Sequence, residues 1–286
     1  MILNLARKIL PQSIRRRVRH VLAHPSFFYA QMAARVYRQW LHKTYPPKYQ
    51  VDKVPMMRNF SDYETLFEAS EANFEAVVTP YVSEFRWFVG RIYNEAFVSI
   101  DPELYYSMIR QYKPNLITEI GSGHSTHFAM DAVKKNQKGH IISIDPEPRR
   151  SLPKSIEHIQ AKVEDVSTGI FAALGENDIL FIDSSHTAEE ALYHCQQILP
   201  NLGKGVIIHH HDFTYPYEIY YLGDPVAFGE PDVLLEFYNT NTDLFEIVVS
   251  ASYVRFRNPQ LVNRLIKSYR WNPLRVPGSL WTRKKS

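Results

Sequence analysis

The sequence predicts an α/β fold, a doubly wound and mostly parallel sheet with an antiparallel C-terminal strand and an N-terminal helical extension. From about residue 101, short apolar runs alternate with segments of helical periodicity, as in consecutive βαβ units. The 286 residues are enough for one or two domains at roughly 150 residues each. Apolar runs stay shorter than the ~18 residues that suggest a membrane span. Three regions follow from these observations: 1–50, 51–100 and 101–286.

Residues 1–50 are interpreted as a basic helical N-terminal extension. They contain ten Lys and Arg residues and no Asp or Glu, and residues 255–286 contain nine basic residues and no acid. The remaining 14 of the 33 basic residues and all 30 acidic residues therefore lie between these two ends. Such segregation favours contact of the ends with an anionic membrane surface or nucleic acid, or docking of the ends onto the acidic body. An apolar stripe supports a helix lying in the membrane interface: Ile2, Leu5, Ile9 and Leu10.

Residues 51–100 are predicted to form a helical cap. The preceding stretch from Tyr45 to Pro55 has three prolines and is interpreted as a linker. Ser61 and Glu64 have the spacing of a capping box, in which each side chain bonds a backbone N–H at the start of a helix. Aromatic residues then recur at helical intervals.

Residues 101–286 are predicted to carry the parallel sheet. Its first five strands are placed at residues 116–120, 140–145, 158–162, 178–183 and 205–211. Helices are predicted between them at residues 125–135, 167–174 and 188–199. Two further strands, "LFEIVVSASYVRF" and "GSLWTRK", flank a basic helix near residues 259–269 and suit an antiparallel edge. Because the carboxyl ends of parallel strands share one edge, a ligand is expected there.

A glycine turn follows the first predicted strand, in the sequence "EIGSGHS" from Glu119 to Ser125. Dinucleotide-binding turns read G-x-G-x-x-G and place a pyrophosphate on the helix N-terminus. Here Thr126 stands in the position of the third glycine, and Glu119 would repel phosphate. S-adenosylmethionine has an ammonium, a sulfonium and no phosphate, so an acidic strand end suits it better. Asp145, at the end of the second strand, suits the ribose hydroxyls of either ligand.

Several segments together resemble the class I S-adenosylmethionine-dependent methyltransferases. They are "ITEIGSGHSTHFA", "ISIDPEP" and "DILFIDSSHTAEEALYHCQQILPNLGKGVIIHHHDF". The resemblance is narrower to a subgroup with a "FIDG(D/S)H" fourth strand and an "HD" fifth strand end. It runs from about Asp101 to the end of the chain and implies a Rossmann-like fold with S-adenosylmethionine as the cofactor.

The resemblance also implies which residues bind the cofactor. Asp145 would hold the ribose, Glu164 would flank the adenine, and Asp183 would lie near the transferred methyl group. The methionine side would be lined by residues of the glycine turn: Glu119, Gly121, Ser122, Gly123 and Ser125.

The ends of the fourth and fifth strands carry the predicted chemistry. Asp183 and Asp212 are expected to converge there, and the resemblance implies that they hold a divalent metal such as Mg²⁺ or Mn²⁺. His211 beside Asp212 would suit Mn²⁺, Fe²⁺ or Zn²⁺ better than Mg²⁺. The alternative without a metal uses His186 or His211 as a general base. Asp183, His186 and His211 are therefore the candidate catalytic residues.

The predicted function is O-methylation of a sugar or another small, hydroxylated metabolite. The tyrosine-rich segment from Thr214 to Tyr238 would lie over the acceptor pocket, where Glu230 meets the acceptor or caps a helix. The acidic middle of the chain argues against a nucleic-acid partner. We expect a cytoplasmic protein with peripheral membrane contact through its N-terminus. The alternative is a non-catalytic module that docks to a membrane or a partner through its basic ends.

Overall fold

The structure is a computed structural model that describes residues 60–88, 97, 100–217, 230–271 and 276–286. The predicted basic extension 1–50 lies outside the described residues, as do the end of the predicted linker and residues 218–229 of the tyrosine-rich segment.

A seven-stranded sheet organises the described residues, in the order β3-β2-β1-β4-β5-β7-β6. Strands β1 to β5 pair in parallel, whereas β7 lies antiparallel between β5 and β6. This arrangement confirms the predicted fold class, including the antiparallel C-terminal strand. The strands are β1 Leu116–Ile120, β2 His140–Ile144, β3 Glu157–Ile159, β4 Ile179–Ile182, β5 Ile207–His210, β6 Phe245–Ser250 and β7 Leu280–Lys284.

Helices cover both faces of the sheet. The α-helices are α1 Phe60–Tyr63, α2 Ser70–Val78, α3 Asp101–Tyr112, α4 His124–Asn136, α5 Gly169–Ala172, α6 Ala188–Tyr193, α7 Glu230–Thr240, α8 Ala251–Arg257 and α9 Pro259–Leu265. A π-helix, His194–Ile198, continues α6. Short 3₁₀ helices occupy Glu64–Phe67, Thr79–Tyr81, Phe85–Phe88, Val163–Asp165, Leu199–Asn201 and Lys267–Trp271.

The central strands are apolar on both sides because each face of the sheet packs against helices. All four residues of β4 are buried. Phe181 belongs to the core cluster that includes Phe128 of α4, and Leu180 belongs to the cluster on the other face, with Leu234 of α7. This two-sided burial fixes the strands in register, so their carboxyl ends form one continuous rim.

The predicted capping box at Ser61 is wrong. Ser61 lies inside α1, which already includes Phe60, and its hydroxyl lies 3.4 Å from the Asp62 carboxylate. The helices that follow pack on the C-terminal part of the sheet. The Asn73 side-chain amide donates to the Val248 carbonyl at 3.0 Å, and the Ser250 N–H donates to the Ser70 hydroxyl at 3.2 Å.

The strand predicted over "LFEIVVSASYVRF" is half wrong. Strand β6 ends at Ser250, and α8 begins at the next residue. The Ser250 hydroxyl accepts the Tyr253 N–H at 3.4 Å and so caps the new helix. The predicted helix near residues 259–269 forms as α9, because the Asn258 side chain accepts the Leu261 N–H at 2.9 Å.

Candidate active site

A cavity of about 390 Å³ lies at the carboxyl ends of β1, β2 and β4. This volume falls within the range of small-molecule sites. Acidic residues outnumber Lys and Arg in its lining: Asp145, Glu147, Glu164, Asp183 and Glu190 against Arg149 and Lys162. The charge balance therefore favours a cationic ligand over a pyrophosphate.

The glycine turn lies beside this cavity, where it follows β1 and contacts the ends of β2 and β4. Gly121 has φ +81°, and its N–H donates to the Ile144 carbonyl at 2.9 Å. A Cβ at this position would lie 1.8 Å from the Asp183 carbonyl oxygen. Gly121 is thus required by backbone conformation and by the close approach of the fourth strand.

Gly123 has a different role in the same turn. Its φ is +151°, and a Cβ built there would have the Arg149 Cβ, at 3.7 Å, as its nearest neighbour among the described residues. Because Gly123 lines the cavity, a ligand can approach its backbone closely.

Glu119 lies behind the turn and does not contribute to the cavity lining that the described residues form. It is fully buried, where Tyr105 donates to one carboxylate oxygen at 2.9 Å and Thr126 to the other at 2.5 Å. The Thr126 hydroxyl in turn accepts the Gly123 N–H at 3.1 Å. Burial raises the pKa of Glu119 to about 7, although these hydrogen bonds oppose the shift. Contact between Glu119 and a ligand stays a prediction; the described contacts connect it to the turn.

Asp145 holds the turn from the side of β2. Its carboxylate accepts the Ser122 N–H at 2.8 Å, the Ser122 hydroxyl at 2.9 Å and the Glu147 N–H at 2.8 Å. Asp145 remains part of the cavity wall. The other residues predicted to bind the cofactor line the same cavity: Gly121, Ser122, Gly123, Ser125, Glu164 and Asp183.

Four side chains meet at the ends of β4 and β5, and we call them the rim cluster: Asp183, His186, His211 and Asp212. His186 Nε2 lies 3.3 Å from Asp183 Oδ1 and 3.4 Å from Asp212 Oδ2. His211 Nδ1 lies 3.3 Å from the same Asp183 oxygen and 3.4 Å from Asp212 Oδ1. The predicted convergence of Asp183 and Asp212 thus involves two imidazoles that lie between them.

Backbone conformation turns these side chains toward one another. His186 has φ +60° and Asp212 has φ +58°, which is the left-handed region that non-glycine residues rarely adopt. Strand β5 ends at His210, so Asp212 leaves the alternation of the strand. Residues held in such conformations often belong to functional sites.

The three consecutive histidines occupy three different environments. The His209 ring stacks on Phe181 with centroids 4.1 Å apart, and His210 Nε2 lies 2.8 Å from the Tyr238 hydroxyl. Both rings are completely buried in the core. His211 alone of the three joins the rim cluster.

The charges of the rim cluster support one another. Burial alone would lower the pKa of His186, but hydrogen bonds to Asp183 and Glu230 raise it to about 10. Burial also acts against protonation of His211, yet the charges of Asp183 and Asp212 hold its pKa well above the usual value. The pKa of Asp183 is well below its usual value despite burial, because both imidazoles favour its charged form.

Two buried carboxylates contact the outer nitrogens of these imidazoles. Glu230 Oε2 lies 2.8 Å from His186 Nδ1, and Asp101 Oδ2 lies 3.8 Å from His211 Nε2. Asp101 also accepts the N–H groups of Gly278 and Ser279, which precede β7. Sequence reasoning left the role of Glu230 open and missed Asp101, because Asp101 lies far from His211 in the chain and matches no motif.

Residues 118–213 match a family model described as a methyltransferase domain. The matched stretch contains the glycine turn, Asp145 and the whole rim cluster, and the sheet has the order of the Rossmann-like methyltransferase fold. The comparison therefore supports a methyltransferase domain over residues 118–213. The resemblance in the sequence is therefore confirmed, while the narrower subgroup stays a prediction.

One similar protein is an uncharacterized protein of Archaeoglobus fulgidus, 40% identical over 94 residues. The match spans 30% of this chain and 42% of that protein.

Two similar solved structures are O-methyltransferases. One is TomG from Streptomyces achromogenes in complex with SAM, at 12% identity and a TM-score of 0.40, covering 80% of this chain and 100% of that one. The other is an enzyme from Bacillus cereus in complex with SAH, at 11% identity and a TM-score of 0.42, covering 79% and 96%.

Among the helices of the described residues, none combines the length and the apolar character that crossing a bilayer requires.

Proposed function

We propose that the protein transfers the methyl group of S-adenosylmethionine to a hydroxyl group of a small polar acceptor, such as a sugar. The observation that carries this proposal is the acidic, glycine-lined cavity directly beside the rim cluster. The cavity suits a cationic donor, and the rim cluster offers imidazole and carboxylate groups next to it. Asp183 belongs to both, so the two functions would meet at the end of β4.

The cavity residues fit the cofactor in three respects. The absent side chain of Gly123 leaves space for a ligand against the backbone. Asp145 lies at the end of β2, where a carboxylate can accept both ribose hydroxyls. Glu164 borders the cavity from the 3₁₀ helix that follows β3 and would flank the adenine. The backbone from Gly121 to Ser125 would then face the methionine part.

The residues of this chain would orient the acceptor and take up its proton. When bound, the cofactor supplies an electrophilic methyl group on its sulfonium. Holding the acceptor oxygen in line with that group would account for most of the rate. The pKa values of both imidazoles are raised within the cluster, so His186 or His211 would act as the base only after losing its own proton, whereas a divalent ion would displace that proton and activate the hydroxyl directly. Either route depends on Asp183 and Asp212 to hold the site together.

Binding of S-adenosylhomocysteine tests the cofactor assignment. In isothermal titration calorimetry we expect one site per chain for S-adenosylhomocysteine and no heat with NAD. The proposal would be overturned if well-folded protein bound NAD and did not bind S-adenosylhomocysteine. Incubation with radiolabelled S-adenosylmethionine and fractionated cell extract should then label a small hydroxylated compound. Label recovered in nucleic acid would contradict the predicted class of acceptor.

The alternative of a non-catalytic module gains no support from the family match. The cytoplasmic location and the peripheral membrane contact of residues 1–50 stay predictions. Liposome binding by the full chain, compared with a chain lacking residues 1–45, tests that contact: equal binding by both would exclude it.

A further inference from the structure

We propose that the rim cluster is a binding site for one divalent transition metal ion, with Asp183, His186 and His211 as ligands and Asp212 completing the set. This proposal deepens the proposed function, since the ion would lie beside the methyl-transfer site. It also revises the predicted ligand pair of Asp183 and Asp212 by adding two nitrogen ligands. Two imidazoles and two carboxylates suit Zn²⁺, Mn²⁺ or Fe²⁺ better than Mg²⁺, which prefers oxygen ligands and retains water.

The spacing of neighbouring nitrogen and oxygen atoms in the rim cluster is compatible with their coordination of one ion. The N···O separations around it are 3.3, 3.4, 3.3 and 3.4 Å. In a tetrahedron with metal–ligand distances of about 2.0–2.1 Å, neighbouring ligand atoms lie roughly 3.3–3.4 Å apart. One ligand atom from each of Asp183, His186 and His211 lies within 4.8 Å of the other two. The two oxygens of Asp212 face one imidazole each, so small adjustments would bring either one to the ion.

His211 provides an independent observation. The side chain is 5% exposed, and within the described residues neither ring nitrogen has a hydrogen bond of acceptable geometry. The carboxylate oxygens near Nδ1 are close enough for an ion pair but do not meet the geometry of a hydrogen bond. A buried imidazole normally satisfies its nitrogens. A metal ion between His211 and Asp183 would satisfy Nδ1 through coordination.

Outer carboxylates complete the pattern of a metal site. Histidine ligands commonly donate their second N–H to a carboxylate, which orients the ring and makes it a stronger ligand. Glu230 lies 2.8 Å from His186 Nδ1, and Asp101 lies 3.8 Å from His211 Nε2. Both carboxylates are buried. Each imidazole thus presents one nitrogen to the rim cluster and the other to an outer carboxylate.

The competing arrangement is a network of ion pairs in which protonated imidazoles neutralise the carboxylates without any metal. The two arrangements differ in a measurable way, because only the first retains a stoichiometric ion. A bound ion would also lower the pKa of an acceptor hydroxyl that enters its coordination sphere.

The test begins with full-length protein stripped by dipicolinate and then dialysed against Zn²⁺, Mn²⁺ or Mg²⁺. Mass spectrometry of the metal content should give about one Zn²⁺ or Mn²⁺ per chain and no retained Mg²⁺. Substitution with Co²⁺ should give the intense visible absorption of a tetrahedral centre. His186→Ala and His211→Ala should each weaken Zn²⁺ binding by more than about 100-fold, and Glu230→Gln by about 10–100-fold. His140→Ala, which removes an exposed histidine paired with Glu157, is the matched control and should bind like the wild type.

The proposed metal site would be overturned if the wild type retained no more Zn²⁺ than the His186→Ala variant. It would also be overturned if the wild type retained Mg²⁺ in preference to Zn²⁺. If a histidine variant fails to fold, the Co²⁺ spectrum of the wild type decides by itself. Calorimetry with S-adenosylhomocysteine on the same preparations separates the two proposals. Cofactor binding without a metal refutes this inference alone, whereas metal binding without cofactor binding refutes the proposed function.

Discussion

The carboxylates at the ends of two neighbouring strands, β1 and β4, have opposite environments. Glu119 is surrounded by hydroxyl groups, and burial raises its pKa to about 7. Asp183 lies one residue beyond β4 between two imidazoles, and its pKa is well below the usual value. Burial favours the neutral form of a carboxyl group, and hydroxyl donors oppose this only in part, whereas neighbouring cations keep the group charged. The β1 end therefore supports the cavity, whereas the β4 end offers charge for chemistry.

Because the β1 end supports the cavity, we expect substitutions in the glycine turn to reduce the stability of the fold. Gly121→Ala should lower the free energy of unfolding by about 3 kcal/mol or more, because a Cβ would overlap the Asp183 carbonyl oxygen and φ is unfavourable. Urea denaturation measures this loss.

Gly123→Ala is the matched variant in the same turn. Its Cβ would face the cavity, so we expect a smaller loss of about 1–2 kcal/mol from backbone strain. Its affinity for S-adenosylhomocysteine should fall more than about 10-fold, which corresponds to about 1.4 kcal/mol. Equal unfolding energies for the two variants would show that the close approach of β4 does not matter.

Asp145→Asn should weaken S-adenosylhomocysteine binding by about 10–100-fold while the protein still folds. Asp145 accepts hydrogen bonds from Ser122 and Glu147, and hydrogen bonds to a charged group contribute about 1.5–3 kcal/mol. Calorimetry measures the affinity. Asp178→Asn is a useful control, because Asp178 likewise accepts backbone N–H groups, from Asn115 and Leu116, but does not line the cavity. A similar loss of affinity in both variants would assign the effect to general loosening of the sheet.

Glu119→Gln should have a large effect on the pH dependence of stability and a small effect on the affinity for S-adenosylhomocysteine. The pKa of Glu119 is raised from 4.5 to about 7 in the folded protein, so its stabilising contribution is complete below pH 4.5 and is lost as pH rises toward 7. At 1.36 kcal/mol per pKa unit, titration of Glu119 should lower the free energy of unfolding of the wild type by about 3 kcal/mol across this window. The variant should not show this decline. Denaturation between pH 4.5 and 8 measures the slope.

Glu103→Gln serves as the control for this slope, because burial also raises the pKa of Glu103 to about 7, while its carboxylate bonds Ile100 and Ser268 and not the glycine turn. Both variants should flatten the pH dependence similarly. The affinity of Glu119→Gln for S-adenosylhomocysteine should stay within about threefold, as expected for the loss of one neutral hydrogen bond. A loss well beyond 10-fold would instead support direct contact between Glu119 and the cofactor, as the sequence predicts.

Local patterns in the sequence were sufficient for the sheet and for the position of the cavity. Strand periodicity located β1 to β5, and the shared edge of parallel strands brought Gly121, Asp145 and Asp183 together without knowledge of any long-range contact. The same reasoning extended β6 too far, because the stop at Ser250 depends on a single serine cap.

The sequence by itself determined which residues stand at the strand ends, because strand spacing and chain direction fix those positions. The tertiary structure decided where their side chains point and what they meet. Glu119 turns away from the cavity because Tyr105 and Thr126 bond its carboxylate behind β1. His211 lies beyond the end of β5 and reaches the rim cluster, whereas His209 stays packed on Phe181. The directions of these side chains depend on contacts between residues from different parts of the chain. The local sequence pattern does not specify those contacts.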